Sequence, residues 1–299
     1  MNPSAPTIKS LIKLHKPDQP IRPVVNWHSA PAYKLAKLST QKAGHLTPLP
    51  NAFNIANSRG LIHKLKDTPI LPHFTLASLG ISNLYTNIPV AETQTILADI
   101  LNQNLTDTQT RRELLGWYDM ITKQNYFTFN GNTMIQKEGL AMGAPSSGLK
   151  AEIFLQHIEH LHMAHLSMKH KIINYFRYVD DILIIFDPTH SSIQAILDDC
   201  NALHQNLQFT AELEENNTIN YLDITIQKTP TSWKTAIYRK PTFTDTIVSY
   251  MSNHPTQHKY AAVKFLYNRL NTYDLLTKLR GLSPRANYTD RAAAANRRS

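Results

Sequence analysis

Arg177-Tyr178-Val179-Asp180-Asp181-Ile182-Leu183, running on into Ile184-Ile185-Phe186, is the stretch whose reading decides the fold. Apolar, β-favouring residues flank the two aspartates, which predicts a hairpin with both acids at its tip. A turn with only a structural duty favours Asn-Gly or Asp-Gly, because a type I′ turn needs positive φ. Two adjacent carboxylates repel one another and supply no glycine. They suit hard divalent cations, which take oxygen ligands. In two-metal chemistry such ions stand roughly 4 Å apart, one activating an attacking hydroxyl and the other stabilising a departing pyrophosphate.

Outward from the hairpin, helical and extended segments are mixed and no internal repeat occurs. Residues 1–50 carry eight prolines and read as extended segments and turns, with a helix starting near Pro31. Residues 70–85 are apolar and β-compatible, and Pro89 leads into a helix over about 91–104. A second helix runs from an Asp107 cap to about Lys123. Tyr126-Phe127-Thr128-Phe129 before Asn130-Gly131 predicts a strand entering a tight hairpin. Ser146 and Ser147 are expected to cap a helix reaching about His165, on the spacing of Leu149, Ile153, Phe154, Ile158 and Leu161. After strands around 172–186 come a helix near 191–205, strands over 207–213, 219–227 and 234–239, and a helix over about 256–280. The tail from Ser283 is loose and basic. The fold class is α+β.

With 299 residues and 42% hydrophobic content the chain can bury a real core. Its longest apolar run, Ile182–Phe186, is far short of the roughly 20 residues that span a bilayer, and no signal-like segment opens it. No membrane partner is expected. A single cysteine, Cys200, excludes a disulfide framework and fits a reducing, intracellular compartment, nuclear or cytoplasmic. The net charge of +9 is uneven. Residues 1–42 hold seven basic side chains against Asp18, and residues 234–299 hold twelve against Asp245, Asp274 and Asp290. Between them the chain is acidic, with 12 basic and 18 acidic residues. Cationic flanks around an acidic centre suit a protein that grips a polyanion by its phosphates, although solubility alone also accounts for surface charge.

The order of motifs resembles the reverse transcriptases of Penelope-like retroelements over nearly all of residues 5–272. Lys13-Leu14-His15-Lys16-Pro17 and Pro20-Ile21-Arg22-Pro23-Val24-Val25 look like the family's fingers motifs. Ser82-Asn83-Leu84-Tyr85-Thr86-Asn87-Ile88-Pro89 is similar to the end of polymerase motif A, and Gly139-Leu140-Ala141-Met142-Gly143-Ala144-Pro145-Ser146 to motif B. Tyr178-Val179-Asp180-Asp181 matches motif C. Asn220-Tyr221-Leu222-Asp223 and Tyr238-Arg239-Lys240-Pro241-Thr242 match strands after the palm core. Ser252-Asn253-His254-Pro255, with His258-Lys259, looks like the entry to the thumb.

The resemblance implies a right-hand polymerase: fingers over 1–66, an antiparallel-sheet palm covered by helices over 67–250 with finger insertions, and the start of a helical thumb over 251–299. It implies template-directed DNA synthesis from RNA, with an RNA template, a DNA primer, deoxynucleoside triphosphates and, in an active relative, two Mg²⁺ ions. Asp180 and Asp181 become the catalytic, metal-binding acids, with the backbone of Ile81 beside them. Arg22 and Lys13 would steady the triphosphate, for which a guanidinium is well shaped. Gly143 and Pro145 join that nucleotide site, glycine permitting close approach of a base or primer. Tyr85 would be the gate that excludes a ribose 2′-hydroxyl; its ordinary reading is a buried strand aromatic. Tyr178, Arg239, Lys240, His254 and Lys259 would contact nucleic acid, where phosphate contacts position without reading sequence.

One position departs from the family. Leu79-Gly80-Ile81-Ser82 stands where the family places Leu-Asp-Ile-Ser, so Gly80 occupies the site of the carboxylate that bridges both ions. Between Asp67 and Glu92 there is no Asp or Glu. Asp67, 13 residues away, would lie about 43 Å off along a strand. Asp and Gly codons differ by one base. The expectation is a reverse transcriptase by descent whose chemistry is impaired in this copy, with a non-catalytic nucleic-acid-binding remnant as the alternative. An RNA-copying RNA polymerase shares the palm but fits Tyr85 poorly. Some relatives carry a nuclease domain after the polymerase, and none is expected within these residues. The thumb is expected to be truncated after about Tyr273, and a region before Met1 to be absent.

Other residues take ordinary readings. His157, His160, His162 and His165 share a helix without four convincing zinc ligands. Glu212, Glu214 and Glu215 read as a solvated strand end, and Trp27, Trp117 and Trp233 as packing residues.

Overall fold

Five apolar residues in succession, Ile182–Phe186, are all buried because the strand they form is covered on both faces. A computed structural model of the chain describes residues 2–12, 19–46, 48–239 and 248–272. Lys13, Lys240, the residues from 273 to 280 and the basic tail lie outside the described residues.

In chain order the elements are β1 (Thr7–Ile12), β2 (Ile21–Asn26), α1 (Tyr33–Leu46), α2 (Ser58–Lys66), β3 (Thr75–Ile81) and the single turn α3 (Leu84–Asn87). Then follow α4 (Val90–Asn104), α5 (Thr108–Lys123), β4 (Tyr126–Phe129), β5 (Asn132–Ile135), α6 (Ser147–Lys169), β6 (Ile172–Tyr178) and β7 (Asp181–Phe186). The remainder are α7 (Ile193–Ala202), β8 (Phe209–Leu213), β9 (Thr218–Tyr221), β10 (Ile224–Lys228), β11 (Trp233–Ile237) and α8 (Thr256–Thr272). They form three sheets, ordered β2-β1-β4-β5, β6-β7-β3-β8 and β11-β10-β9. All pairings are antiparallel except β1 with β4.

The sheet β6-β7-β3-β8 separates two cores. Ala77, Leu79, Ile81, Ile182, Ile184 and Phe186 face one core, closed by apolar residues of α4, α5, α6 and α7. Leu76, Leu183 and Ile185 face the other, closed by Leu61, Ile62 and Leu65 of α2 and by Ile219, Tyr221, Ile224 and Ile226. α6 runs beneath the first face and is buried around most of its circumference, as its mixed pattern of apolar residues requires. A third, smaller core joins Val25, Trp27 and Ala36 to Ile121 and Ala141.

Local chemistry sets the boundaries. Asp107 caps α5 by accepting from the N–H groups of Gln109 and Thr110, and Asn130 and Gly131, both at positive φ, close the β4–β5 hairpin as expected. Several expectations need correction. Ser146 makes no side-chain cap; Ser147 Oγ instead donates to Ala141 O at 2.8 Å, and α6 continues to Lys169 because Met163 and Leu166 are buried. The strand expected over 219–227 is a hairpin, β9 and β10, folded at Leu222, whose φ is +55°. α2 and α3 were absent from the expected elements. Glu214 is not solvated: at 9% side-chain exposure it pairs with Lys228 at 3.2 Å. The tryptophans do pack, Trp27 in the third core and Trp233 with its ring N–H on Thr68 O.

Candidate functional site

The hairpin that carries the acids is closed by the pair Tyr178↔Asp181, so its two central residues are Val179 and Asp180. The tip therefore lies one residue earlier than expected: Asp180 is in the turn and Asp181 opens β7. Val179 has φ +56°, a conformation for which a β-branched residue costs about 1–3 kcal/mol. Only this first central residue is left-handed, so the turn is not the type I′ form.

Gly80 stands opposite Asp181 on one side and Thr210 on the other. Ile81 N donates to Asp180 O at 2.9 Å, which makes Gly80 and Asp181 a narrow pair of the ladder. Side-chain carbons at two such positions stand about 4.5–5.5 Å apart on the same face. A Cβ at Gly80 would meet only Thr210 Oγ1, at 3.4 Å, an ordinary contact. The glycine position thus faces Asp181 across the ladder, with Asp180 next to it in the turn.

Each carbonyl of the acid-bearing segment is held. Asp180 O accepts from Ile81; Asp181 O accepts from the hydroxyl of Tyr221 at 2.8 Å; Val179 O accepts from Arg177 Nη1 at 3.1 Å. Arg177 is 1% exposed and uses its whole guanidinium. Nε and Nη2 donate to Glu159 at 2.6 and 3.0 Å, and Nη1 and Nη2 donate to Glu152 at 3.0 and 3.1 Å. Asn54 and Gln156 donate to the remaining lone pairs of Glu152, at 2.7 and 3.1 Å. Burial works against the charge on Glu152, but Arg177, Gln156 and Asn54 outweigh it and hold its carboxyl below the usual range. The same carboxylates overcome the desolvation of Arg177 and raise its pKa. Two carboxylates against one guanidinium leave the cluster net negative.

Tyr85 lies in α3, not in a strand, and its carbonyl accepts from Leu140 N at 2.6 Å. Burial first, then the charges of Asp180 and Glu152, push its hydroxyl pKa upward, so the ring shares the electrostatic field of the hairpin. Gly139 and Gly143 are required by the protein's own backbone. Both have positive φ, and a Cβ would stand 2.2 Å from Thr86 O at Gly139 and 2.3 Å from Val25 O at Gly143. Val25 N also donates to Met142 O at 2.7 Å, so β2, which carries the exposed Arg22, is tied to this loop. Pro145 O accepts from Thr40 Oγ1 at 3.4 Å.

Asp180, Asp181, Gly80, Ile81, Tyr85 and Tyr178 are thus gathered around one hairpin. Tyr178 is 39% exposed beside it. Arg239 follows β11, next to Tyr238, whose N–H bonds to Asp223 O. His254 and Lys259 make local contacts at the start of α8, with Ser252 Oγ and Tyr250 O. Among the described residues, no group of three His, Cys, Asp or Glu side chains is placed to hold a metal ion. Asp180 and Asp181, with a glycine across the ladder from Asp181, do not fit a two-ion centre.

The sequence reading missed Arg177, Glu152, Glu159 and the support from Asn54. The signal was present: Glu152, Gln156 and Glu159 fall at i, i+4 and i+7 of α6 and so share one face, with Gln156 and Glu159 buried.

No family model matches the chain, and no curated protein matches it. Among solved structures, telomerase from Candida tropicalis in complex with a TWJ fragment of telomeric RNA superposes with a TM-score of 0.57 at 11% identity, covering 90% of this chain and 50% of that one. Telomerase from Candida albicans with the same kind of fragment gives 0.58 at 11%, covering 89% and 49%. The RNA-dependent RNA polymerase of a human picobirnavirus gives 0.52 at 14%, covering 75% and 44%. The chain spans about half the length of the telomerase chains. The chain shares its fold with these telomerase and RNA-dependent RNA polymerase structures. No helix among the described residues is long and apolar enough to cross a membrane.

Proposed function

We propose that the chain is the polymerase region of a Penelope-like reverse transcriptase by descent, and that its nucleotidyl transfer is impaired. One observation carries the second half: Gly80 stands directly across the ladder from Asp181, where a third carboxylate would complete the donor set. Support for the first half is the order of motifs together with the polymerase fold. Residues 1–66 act as fingers, 67–250 as palm and 251–299 as the start of a thumb. The substrates of an active relative are an RNA template, a DNA primer and deoxynucleoside triphosphates, with Mg²⁺ as its ion. What this chain's own residues do is grip and position. Arg22 offers a guanidinium to phosphate, Tyr85 stands by Asp180 as the sugar gate, and Tyr178, Arg239, His254 and Lys259 line the route of the strands.

A second reading, a non-catalytic nucleic-acid-binding remnant, is favoured by the same glycine and by the cationic flanks. Primer extension on an RNA template, comparing the chain with Gly80→Asp, separates the two. Incorporation gained by the variant supports the polymerase reading; binding to RNA–DNA duplex that weakens with salt, with no incorporation by either chain, supports the remnant.

A further inference from the structure

Arg177, the penultimate residue of β6, is an arginine buried directly beside the hairpin turn. Its five N–H donors are all engaged: three bond distances of 3.0–3.1 Å and one of 2.6 Å reach Glu152 and Glu159, and the last donor reaches Val179 O at 3.1 Å. Both carboxylates come from α6, the helix packed beneath the sheet, and Glu152 is itself held by Asn54 and Gln156. The guanidinium therefore cannot swing, and the carbonyl it grips belongs to the one residue of the hairpin in the left-handed region.

We infer that Arg177 is a positioning residue: clamped by Glu152 and Glu159, it fixes the Val179 carbonyl, keeps Val179 left-handed and so sets where Asp180 stands relative to position 80. The physical reasoning is a matter of alternatives. Left alone, a valine at this position relaxes to negative φ, which swings the Val179–Asp180 peptide and carries Asp180 with it. A planar, five-donor fork anchored on two carboxylates resists that rotation; a lysine ammonium, with three donors at one point, cannot span both carboxylates and the carbonyl. Tyr221, on Asp181 O, fixes the other end of the segment, so the rotation has no slack to share. The role in catalysis rests on the polymerase reading above; the placement of the turn does not.

The test reads the turn directly. Ile81 N–H is bonded to Asp180 O, so its amide hydrogen exchange, followed by NMR on the full chain, reports whether Asp180 is in place. Ala77, on the same strand and fully buried, serves as the internal reference. Arg177→Lys is expected to lower protection at Ile81 tenfold or more relative to Ala77. Adding Val179→Gly, which adopts positive φ freely, is expected to restore most of that loss. If Arg177→Lys does not fold, Glu152→Gln, at the more exposed edge of the cluster, takes its place with the same required pattern at about threefold. Loss spread equally over Ile81 and Ala77, no loss at Ile81, or no recovery on adding the glycine each overturns the inference, because an arginine that merely stabilises the core gives those results. The measurement needs neither metal nor nucleotide. Failure of Gly80→Asp to incorporate nucleotides would sink the polymerase reading and leave the role of Arg177 in placing the turn intact.

Discussion

Restoring a carboxylate at position 80 is the perturbation with the largest expected consequence. The backbone accepts it: the φ of Gly80 is not positive, and the only atom a Cβ meets is Thr210 Oγ1 at 3.4 Å. The new side chain would stand about 5 Å from that of Asp181, close enough for both to bind one ion at Mg²⁺–oxygen distances of about 2 Å. Without an ion, two like charges 5 Å apart repel by about 1–3 kcal/mol for an effective dielectric between water and a protein surface. Gly80→Asp should therefore melt a few degrees lower than the natural chain in chelator, and Mg²⁺ should raise its melting temperature more than it raises the natural chain's. In primer extension on an RNA template, the variant is expected to incorporate deoxynucleotides at least about 100-fold faster, the scale on which loss of one electrostatic stabiliser acts in other active sites. Equal, robust incorporation by both chains would refute the claim of impairment. No incorporation by the variant, with Mg²⁺ stabilisation unchanged, would refute the active-site assignment.

Three further outcomes are expected. Lys150, 4% exposed, has only the Thr122 hydroxyl and the face of Tyr118 as partners among the described residues, and burial lowers its pKa from 10.5 to about 8. That gap corresponds to about 3 kcal/mol opposing folding below pH 8, relieved as pH rises from 8 to 10.5, where the unfolded chain binds the extra proton. Lys150→Met should raise stability in urea at pH 7 and lose its advantage near pH 10.5; a destabilised variant at pH 7 would contradict this. The carboxyl of Glu152 is held below its usual range, so its contribution is present at neutral pH and disappears as pH falls through the folded pKa. The stability difference between the natural chain and Glu152→Gln should shrink below about pH 4.5, and a constant difference down to pH 3 would argue against it. In the Gly80→Asp chain, Tyr85→Ala should increase ribonucleotide over deoxynucleotide incorporation; unchanged selectivity would remove Tyr85 as the sugar gate.

What was legible in the sequence follows a physical line. Turns and caps that use the residue type their geometry favours were readable: Asp107 before α5, and Asn130-Gly131 between β4 and β5. Turns that place Val179 or Leu222 at positive φ were not, because tertiary bonds to Arg177 and between the flanking strands override local preference there. The hairpin acids and their glycine counterpart were legible as a motif, and the register Gly80↔Asp181 gives that motif its geometry. The charge cluster behind the hairpin was not, since an arginine 25 residues after Glu152 and 18 after Glu159 has no local pattern. Only the packing of α6 under β6 brings them together.

The narrow pair at position 80 also separates the durability of the scaffold from that of the chemistry. Glycine there strains nothing and spares the neighbouring acids a third negative charge, so the ladder, both cores and the guanidinium clamp persist without it. Purifying pressure on folding alone would not oppose such a change, and a copy drifting free of selection for synthesis would lose turnover long before it lost shape. On the proposed reading the route back would be correspondingly short: one codon change at a position whose surroundings accept a side chain.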